Sequence, residues 1–189
     1  MLKCMVAGGF GVGKTTFIGA ISEIEPVNTE EILTQAGVAT DSVDSVESKE
    51  TTTVAFDFGR FTVDSGDGLL ELMLFGTPGQ ERFVDYWYDL SRGAVGVAVL
   101  ADTRRLETSF PSIAFCEHTG LPFVVGVNQF DRGHRYPIDA VRRALALKPS
   151  TPVVTCDARV EKSVERVLLR LVDHALEVTP AAPTSLDAR

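Results

Sequence analysis

The sequence predicts an α/β sandwich whose central sheet is mostly parallel, and three observations support this. Short apolar runs alternate along the chain with segments of helical periodicity, as in sheets whose strands are connected by helices. A glycine-rich pattern typical of phosphate binding follows the first apolar run. Two later runs are separated only by the turn sequence DSGDG, which predicts an antiparallel hairpin within the otherwise parallel sheet.

The periodicity assigns each element of this fold. The expected strands are 2–8, 54–63, 69–75, 94–101, 121–128 and 151–156. The expected helices are 14–24, 108–117, 137–147 and 161–176, the third with a proline in its first turn. The polar stretch 25–50 is predicted to be a long mobile connection, and 177–189 a disordered tail after a single domain at 1–176.

Composition favours one globular domain and excludes several partner classes. The 189 residues carry 18 basic and 26 acidic side chains, and this net charge of −8 disfavours nucleic acid and anionic lipid as partners. No run of 18 apolar residues predicts a transmembrane helix, and no signal peptide or lipidation motif is expected, so we predict a cytoplasmic protein without a direct membrane anchor. Cys4, Cys116 and Cys156 lack metal-ligand spacing and are expected to be buried, reduced thiols.

The first strand leads into GGFGVGKTT, which fits the pattern G-x-x-x-x-G-K-[ST]. A chain that wraps phosphates must direct several backbone N–H groups to one point, and glycine allows the dihedral angles that this requires. Lys14 would place a positive charge at the β and γ phosphates, and the Thr15 hydroxyl would ligate Mg²⁺. The alternative is a glycine-rich turn without a ligand. The predicted phosphate-binding residues are Gly8, Gly9, Phe10, Gly11, Val12, Gly13, Lys14, Thr15 and Thr16.

The fifth strand ends in NQFD, which matches Asn-x-x-Asp at the edge where such sheets bind ligands. The Asp131 carboxylate can accept hydrogen bonds from N1 and N2 of guanine, a donor pair that adenine lacks. Asn128 would hold the neighbouring loops together and contact N7, while Gln129 stands where a lysine usually covers the base. After the sixth strand, the Ala158 N–H would reach guanine O6, with Arg159 beside it. Guanine is therefore favoured over adenine, although loops often contain Asn and Asp for other reasons.

These motifs occur in the order found in the Ras-like small GTPases, and the chain resembles that family over about residues 2–176. It is most similar to the bacterial GTPases encoded in actinobacterial conservon operons, which are similar in turn to those that set cell polarity in gliding motility. The resemblance implies a six-stranded sheet in the order 2-3-1-4-5-6 with helices on both faces. It also implies a GTP/GDP switch with slow, activator-dependent hydrolysis in bacterial signalling.

The resemblance assigns roles to the switch residues. Thr53 would bind Mg²⁺ through its hydroxyl and the γ-phosphate through its N–H in the GTP state, although the two threonines before it are rivals. Gly79 would donate its N–H to the γ-phosphate, and Gln80 would orient the attacking water. Gln80, Thr53 and Lys14 are thus the expected catalytic residues.

Two departures from the family pattern affect this expectation. Gly76 stands where most members have an aspartate that holds a Mg²⁺-bound water, so weaker metal binding is expected. Phe10 stands where Ras itself has glycine, and its ring would crowd an incoming arginine finger. We therefore expect slow turnover and an activator that does not work in the Ras manner, with Arg60 and Arg82 as candidates for help in cis.

The aromatic segment FVDYWY at 83–88 is predicted to form a docking patch beside the switch; the alternative is that its rings cover the core. The resemblance implies a roadblock-type regulator and a sensor kinase-like protein as partners, with recruitment to the membrane through a partner. Two rival functions stay open. One is a nucleotide-bound scaffold without hydrolysis, and the other is a P-loop ATPase or nucleotide kinase whose lid would use the arginines that follow NQFD.

Overall fold

A computed structural model of the chain describes residues 1–25, 27–28, 56–64, 68–78 and 84–178. Its strands are β1 (Leu2–Ala7), β2 (Asp57–Asp64), β3 (Leu69–Gly76), β4 (Ala94–Asp102), β5 (Phe123–Asn128) and β6 (Val153–Cys156), with a further two-residue strand at Val27–Asn28. Its helices are α1 (Lys14–Ile21), α2 (Val84–Ser91), α3 (Phe110–Thr119), α4 (Ile138–Ala144) and α5 (Glu161–Val178), with a 3₁₀ turn at Leu106–Ser109.

The strands in the described part of the chain form one sheet. The six longer strands lie in the order β2-β3-β1-β4-β5-β6, and Val27–Asn28 pairs antiparallel with β2 at the outer edge. Strands β2 and β3 are antiparallel, and every other neighbouring pair among the six is parallel. The predicted order 2-3-1-4-5-6 and the predicted hairpin are therefore confirmed. The two-residue edge strand was not predicted.

The core consists of two apolar layers, one on each face of the sheet. Alternate residues of β1 point to opposite faces, so Cys4 and Val6 enter one layer while Met5 and Ala7 enter the other. Helices α1 and α5 cover the first layer, and α2, α3 and α4 cover the second. Helices on both faces are thus confirmed. The parallel strands end at the same edge of the sheet, where the loops after β1, β4, β5 and β6 meet.

Helix α2 changes the interpretation of the aromatic segment. Trp87 is 2% exposed and packs edge-on against Phe115, with the ring centroids 5.6 Å apart. Tyr86 and Tyr88, one position to either side, are 44% and 43% exposed. Because a helix separates neighbouring residues by about 100°, Trp87 faces the core, whereas the two tyrosines lie at the margin of the helix, and the Tyr88 ring still packs edge-on against Phe115 at 5.1 Å. The prediction that Trp87 belongs to a docking patch is therefore wrong, and Phe83 lies outside the described residues.

Smaller differences concern element ends. Helix α1 ends at Ile21 rather than 24, α4 ends at Ala144 rather than 147, and α5 continues to Val178, past the predicted boundary at 176. Pro137 precedes α4 as its N-cap instead of lying in its first turn. The described cysteines are free and buried, as predicted, and burial raises the thiol pKa of Cys4 to about 12. Among the helices that the structure describes, none has the length and apolar character to cross a bilayer.

Candidate nucleotide-binding site

The predicted phosphate loop connects β1 to α1, and its glycines are required by its shape. Gly13 is the N-cap of α1 in the left-handed region, with φ 101°, and a Cβ there would lie 2.8 Å from Asn128 Nδ2. Gly8 has φ 136°, and a Cβ there would lie 2.5 Å from the carbonyl oxygen of Leu100. Both glycines of the sequence pattern therefore stand where any side chain would strain the backbone and collide with a neighbour.

Lys14 lies in the concave side of this loop. Its ammonium donates hydrogen bonds to the carbonyl oxygens of Gly8, at 2.9 Å, and Gly9, at 3.0 Å, and the residue is 9% exposed. Burial lowers the Lys14 pKa to about 8, although the negative charge of Asp57 opposes the shift. The next residue, Thr15, donates its hydroxyl to Asp57 Oδ2 at 2.8 Å. The two side chains predicted to contact phosphate and Mg²⁺ thus lie beside a carboxylate that the sequence analysis missed.

Asn128 ties three loops together at the end of β5. Its side-chain amide donates to the carbonyl oxygen of Val12 at 2.9 Å, and its Oδ1 accepts from the Ala158 N–H at 3.0 Å. Asn128 is 6% exposed, so water does not compete for these bonds. The predicted bridging by Asn128 agrees with this geometry. The Ala158 N–H, predicted to reach guanine O6, is engaged by Asn128, and its role toward the base stays a prediction.

Asp131 is held by an arginine. Arg159 donates two hydrogen bonds to the Asp131 carboxylate, each of 3.0 Å, and two more to Asp157, each of 2.9 Å. Hydrogen bonding by Arg159 keeps the pKa of Asp131 below its usual range and lowers that of Asp157 to about 2. The predicted base-selecting carboxylate is therefore fully charged at neutral pH, and the predicted base contact Arg159 is its ion-pair partner.

A concavity of about 140 Å³ lies between these groups and the phosphate loop. Gln129 lies at its wall, and its side-chain amide donates a hydrogen bond of 3.3 Å to the carbonyl oxygen of Val127. The structure brings the predicted phosphate and base residues to one place. The residues lining the concavity are Gly13, Thr16, Asn128, Gln129, Phe130, Asp131, Asp157, Ala158 and Arg159.

A second group supports the NQFD loop and was missed in the sequence. Asp102, at the end of β4, is 1% exposed, and the Arg104 guanidinium binds both of its carboxylate oxygens at 2.7–3.1 Å. The same guanidinium lies 3.7 Å from the centre of the Phe130 ring, within cation–π range. The signal that would have found this group is the acidic residue that ends an otherwise apolar strand, followed two positions later by arginine.

Of the two arginines expected to help in cis, the one that the structure describes, Arg60, forms ion pairs away from the site. Arg60 is in β2 and pairs with Glu23 at 3.9 Å and Glu71 at 3.7 Å, and Arg82 lies outside the described residues. A different arginine contacts the phosphate loop: Arg105 donates to the carbonyl oxygen of Phe10 at 3.1 Å. Thr53, Gly79 and Gln80, with the rival threonines, also lie outside the described residues, so their roles stay predictions.

Comparison with known proteins gives a match over most of the chain. Residues 6–178 match the family described as "Conserved hypothetical ATP binding protein". The Ras-related protein Rab-1C of Dictyostelium discoideum is 24% identical over 189 residues, which cover 95% of this chain and 83% of that protein.

Solved structures of FeoB domains share the fold of this chain. The cytosolic domain of the T. maritima FeoB iron transporter in GDP form I has a TM-score of 0.64 at 19% identity; the match covers 93% of this chain and 63% of that domain. The FeoB G-domain of Methanococcus jannaschii has a TM-score of 0.59 at 15% identity, covering 93% of this chain and 97% of that one. The chain belongs to the family described as conserved hypothetical ATP binding protein, within the Ras-like P-loop GTPase superfamily.

Proposed function

We propose that this protein is a regulatory GTP-binding switch that binds and slowly hydrolyses GTP in bacterial signalling. The family description names ATP, whereas the Rab-type relative is Ras-related and the FeoB structure is described as a GDP form. The two descriptions therefore disagree about the base. The observation that supports guanine is the charged carboxylate of Asp131, which lines the concavity of about 140 Å³ next to the phosphate loop.

The chemistry of the two bases decides between them. Guanine offers donors at N1 and N2, which a carboxylate can accept side by side. Adenine offers a lone pair at N1 and no amino group at C2, so a carboxylate in the same position would face an acceptor and be left without a partner. An aspartate is ionised at neutral pH, and Arg159 lowers the pKa of Asp131 further, so the carboxylate does not become a donor to adenine by protonation.

The same proposal assigns roles to the residues around Mg²⁺ and the phosphates. Mg²⁺, when bound, would neutralise charge on the β and γ phosphates, and the Thr15 hydroxyl and Thr53 would hold it. Lys14 would exchange its bonds to loop carbonyls for bonds to phosphate. Gly79 would bind the γ-phosphate, and Gln80 would orient water. A roadblock-type regulator and a sensor kinase-like protein, with recruitment from the cytoplasm through such a partner, are proposed by family resemblance alone.

The family description favours a second candidate, an ATPase or nucleotide kinase. A kinase would need mobile arginines over an acceptor phosphate. Arg142, one of the arginines considered for that lid, instead donates to the carbonyl oxygens of Lys148 and Thr151 next to α4. This contact fixes Arg142 on the body of the domain, which argues against a lid at this position.

The test is a change of base preference in Asp131→Asn. The wild type is expected to bind GDP in preference to ADP by calorimetry in magnesium buffer. The asparagine amide can donate to the C2 carbonyl of xanthine but cannot accept both guanine donors, so D131N should lose GDP affinity and gain affinity for xanthosine diphosphate. D139N, an exposed aspartate on α4, is the matched control and should behave as the wild type. Equal affinity of the wild type for GDP and ADP would reject the proposed base.

A further inference from the structure

We propose that Asp57 on β2 replaces the aspartate missing at Gly76 on β3 and supplies the carboxylate of the Mg²⁺ site, an inference that rests on the proposed function. The carboxylate is thus carried by β2, whereas most members of the family carry it at the position of Gly76 on β3. Gly76 is then the residue that makes room for it, and not a defect in the switch.

The register of the hairpin places the two positions side by side. Asp57 and Gly76 are direct partners in the antiparallel pairing of β2 with β3. Directly opposite residues of such a pair direct their side chains to the same face of the sheet. A side chain at 57 therefore reaches the region that a side chain at 76 would otherwise occupy.

The space at Gly76 is filled by Asp57. A Cβ added at Gly76 would lie 2.9 Å from Asp57 Cβ, 3.1 Å from Asp57 Oδ2 and 3.2 Å from Ile18 Cδ1. Gly76 is not among the described residues with positive φ, so its backbone does not require glycine. What requires glycine is the approach of Asp57: the structure does not accommodate a carboxylate at both positions without movement.

The Asp57 carboxylate is directed at the predicted metal ligand. Its Oδ2 accepts the hydrogen bond of the Thr15 hydroxyl at 2.8 Å, and its charge acts on the Lys14 ammonium. Mg²⁺ at nucleotide sites takes oxygen ligands, with one or two carboxylates beside the phosphates and waters. The Thr15 hydroxyl at the start of α1 and the Asp57 carboxylate beside it fit this donor set. No group of three or more metal-binding side chains occurs in the described residues, and a site of this kind needs none.

The competing interpretation is that Asp57 only accepts a hydrogen bond from Thr15. Asp57→Asn separates the two, because the amide oxygen still accepts that bond but the charge is lost. The probe is a fluorescent GDP analogue, whose dissociation is measured against free Mg²⁺ concentration. We expect D57N to raise the Mg²⁺ concentration at which half of the GDP analogue stays bound by about 10–100-fold, which is the usual effect of losing a group that supports a metal site. Glu71→Gln, on the same hairpin, should leave it unchanged.

A strand swap gives an independent test. Gly76→Asp alone should lower the melting temperature, since it forces two carboxylates together. In the double variant with Asp57→Gly, the new aspartate at 76 has the space that Asp57 occupied. Asp57→Gly alone should lose Mg²⁺-dependent retention of the GDP analogue, and the double variant should recover it. An unchanged Mg²⁺ requirement in D57N, or a double variant no better than Asp57→Gly, would overturn the inference while leaving the proposed function intact. Absence of GDP binding by the wild type would overturn both.

Discussion

The side-chain amide of Asn128 lies 2.9 Å from the carbonyl oxygen of Val12, a residue 116 positions earlier in the chain. This bond connects the end of β5 to the phosphate loop, and the other end of the same side chain accepts the Ala158 N–H. The loops that would bind phosphate and base are therefore held in register by one buried residue.

Asn128→Ala should destabilise the protein even without nucleotide. The substitution leaves the Val12 carbonyl and the Ala158 N–H without their partner in a buried place, and one such group costs about 1–3 kcal/mol. We expect the free energy of unfolding in urea to fall by at least the cost of one such group, since two are affected, and GDP affinity to fall with it. Gln129→Ala, at the next position, removes one 3.3 Å bond and should change stability much less. Equal stability of the two variants would contradict the bridging role.

Arg159→Met should raise GDP affinity. Both oxygens of Asp131 accept from Arg159, and a guanine base needs the same two oxygens, so the arginine competes with the base. Methionine keeps an unbranched apolar stem that can lie against the base but has no guanidinium. Because the pair is exposed, we expect a gain of up to about fivefold, measured by calorimetry and shrinking as salt is added. A loss of affinity would show that Arg159 positions Asp131 for the base.

The phosphate loop was predictable because its constraints are local. Gly8 and Gly13 of the pattern both have a positive φ within one strand–loop–helix unit, so the residue types alone indicate the local structure. The sheet order came from family resemblance, and the hairpin from a turn sequence between two apolar runs. These features need no knowledge of side-chain contacts between distant elements.

The contacts that modify the site were not predictable in the same way. Asp57 reaches Thr15 across 42 positions, and its relation to Gly76 depends on a hairpin register that the turn sequence does not fix to one residue. Arg159 meets Asp131 only because the loops after β5 and β6 lie side by side. Trp87 was misassigned because an aromatic segment gives no clear period, whereas the helix buries one ring of three.

GDP affinity should decrease above pH 8 through Lys14. In the free protein, burial brings the Lys14 pKa down to about 8, so the neutral amine becomes the major form at higher pH. Phosphate binding needs the ammonium, and the bound anion would keep it protonated. Binding above pH 8 therefore requires proton uptake. Between pH 7 and 9 we expect about a tenfold loss of affinity, which corresponds to about 1.4 kcal/mol.

Calorimetry at pH 9 in two buffers of different ionisation enthalpy checks the cause directly. The observed binding heat should differ between the buffers in proportion to the proton taken up, whereas at pH 7 the two heats should agree closely. Lys148→Ala, an exposed lysine beyond α4, should leave both the pH dependence and the buffer dependence unchanged. Constant affinity from pH 7 to 9 would place the Lys14 titration outside this range.

Hydrolysis by the isolated protein should be slow, because the transition state is expected to lack a charge-stabilising arginine, and the Phe10 ring would crowd one supplied by a partner. Phe10 is 70% exposed, and its carbonyl oxygen is held by Arg105 at 3.1 Å. We expect single-turnover GTP hydrolysis slower than about 1 s⁻¹, measured by phosphate release. Phe10→Ala removes the ring but adds no donor to the transition state, so the intrinsic rate should stay within a few-fold of the wild type. The mostly exposed ring should also leave thermal stability nearly unchanged. A rate above 1 s⁻¹ in the wild type would mean that a catalytic arginine already acts within the chain.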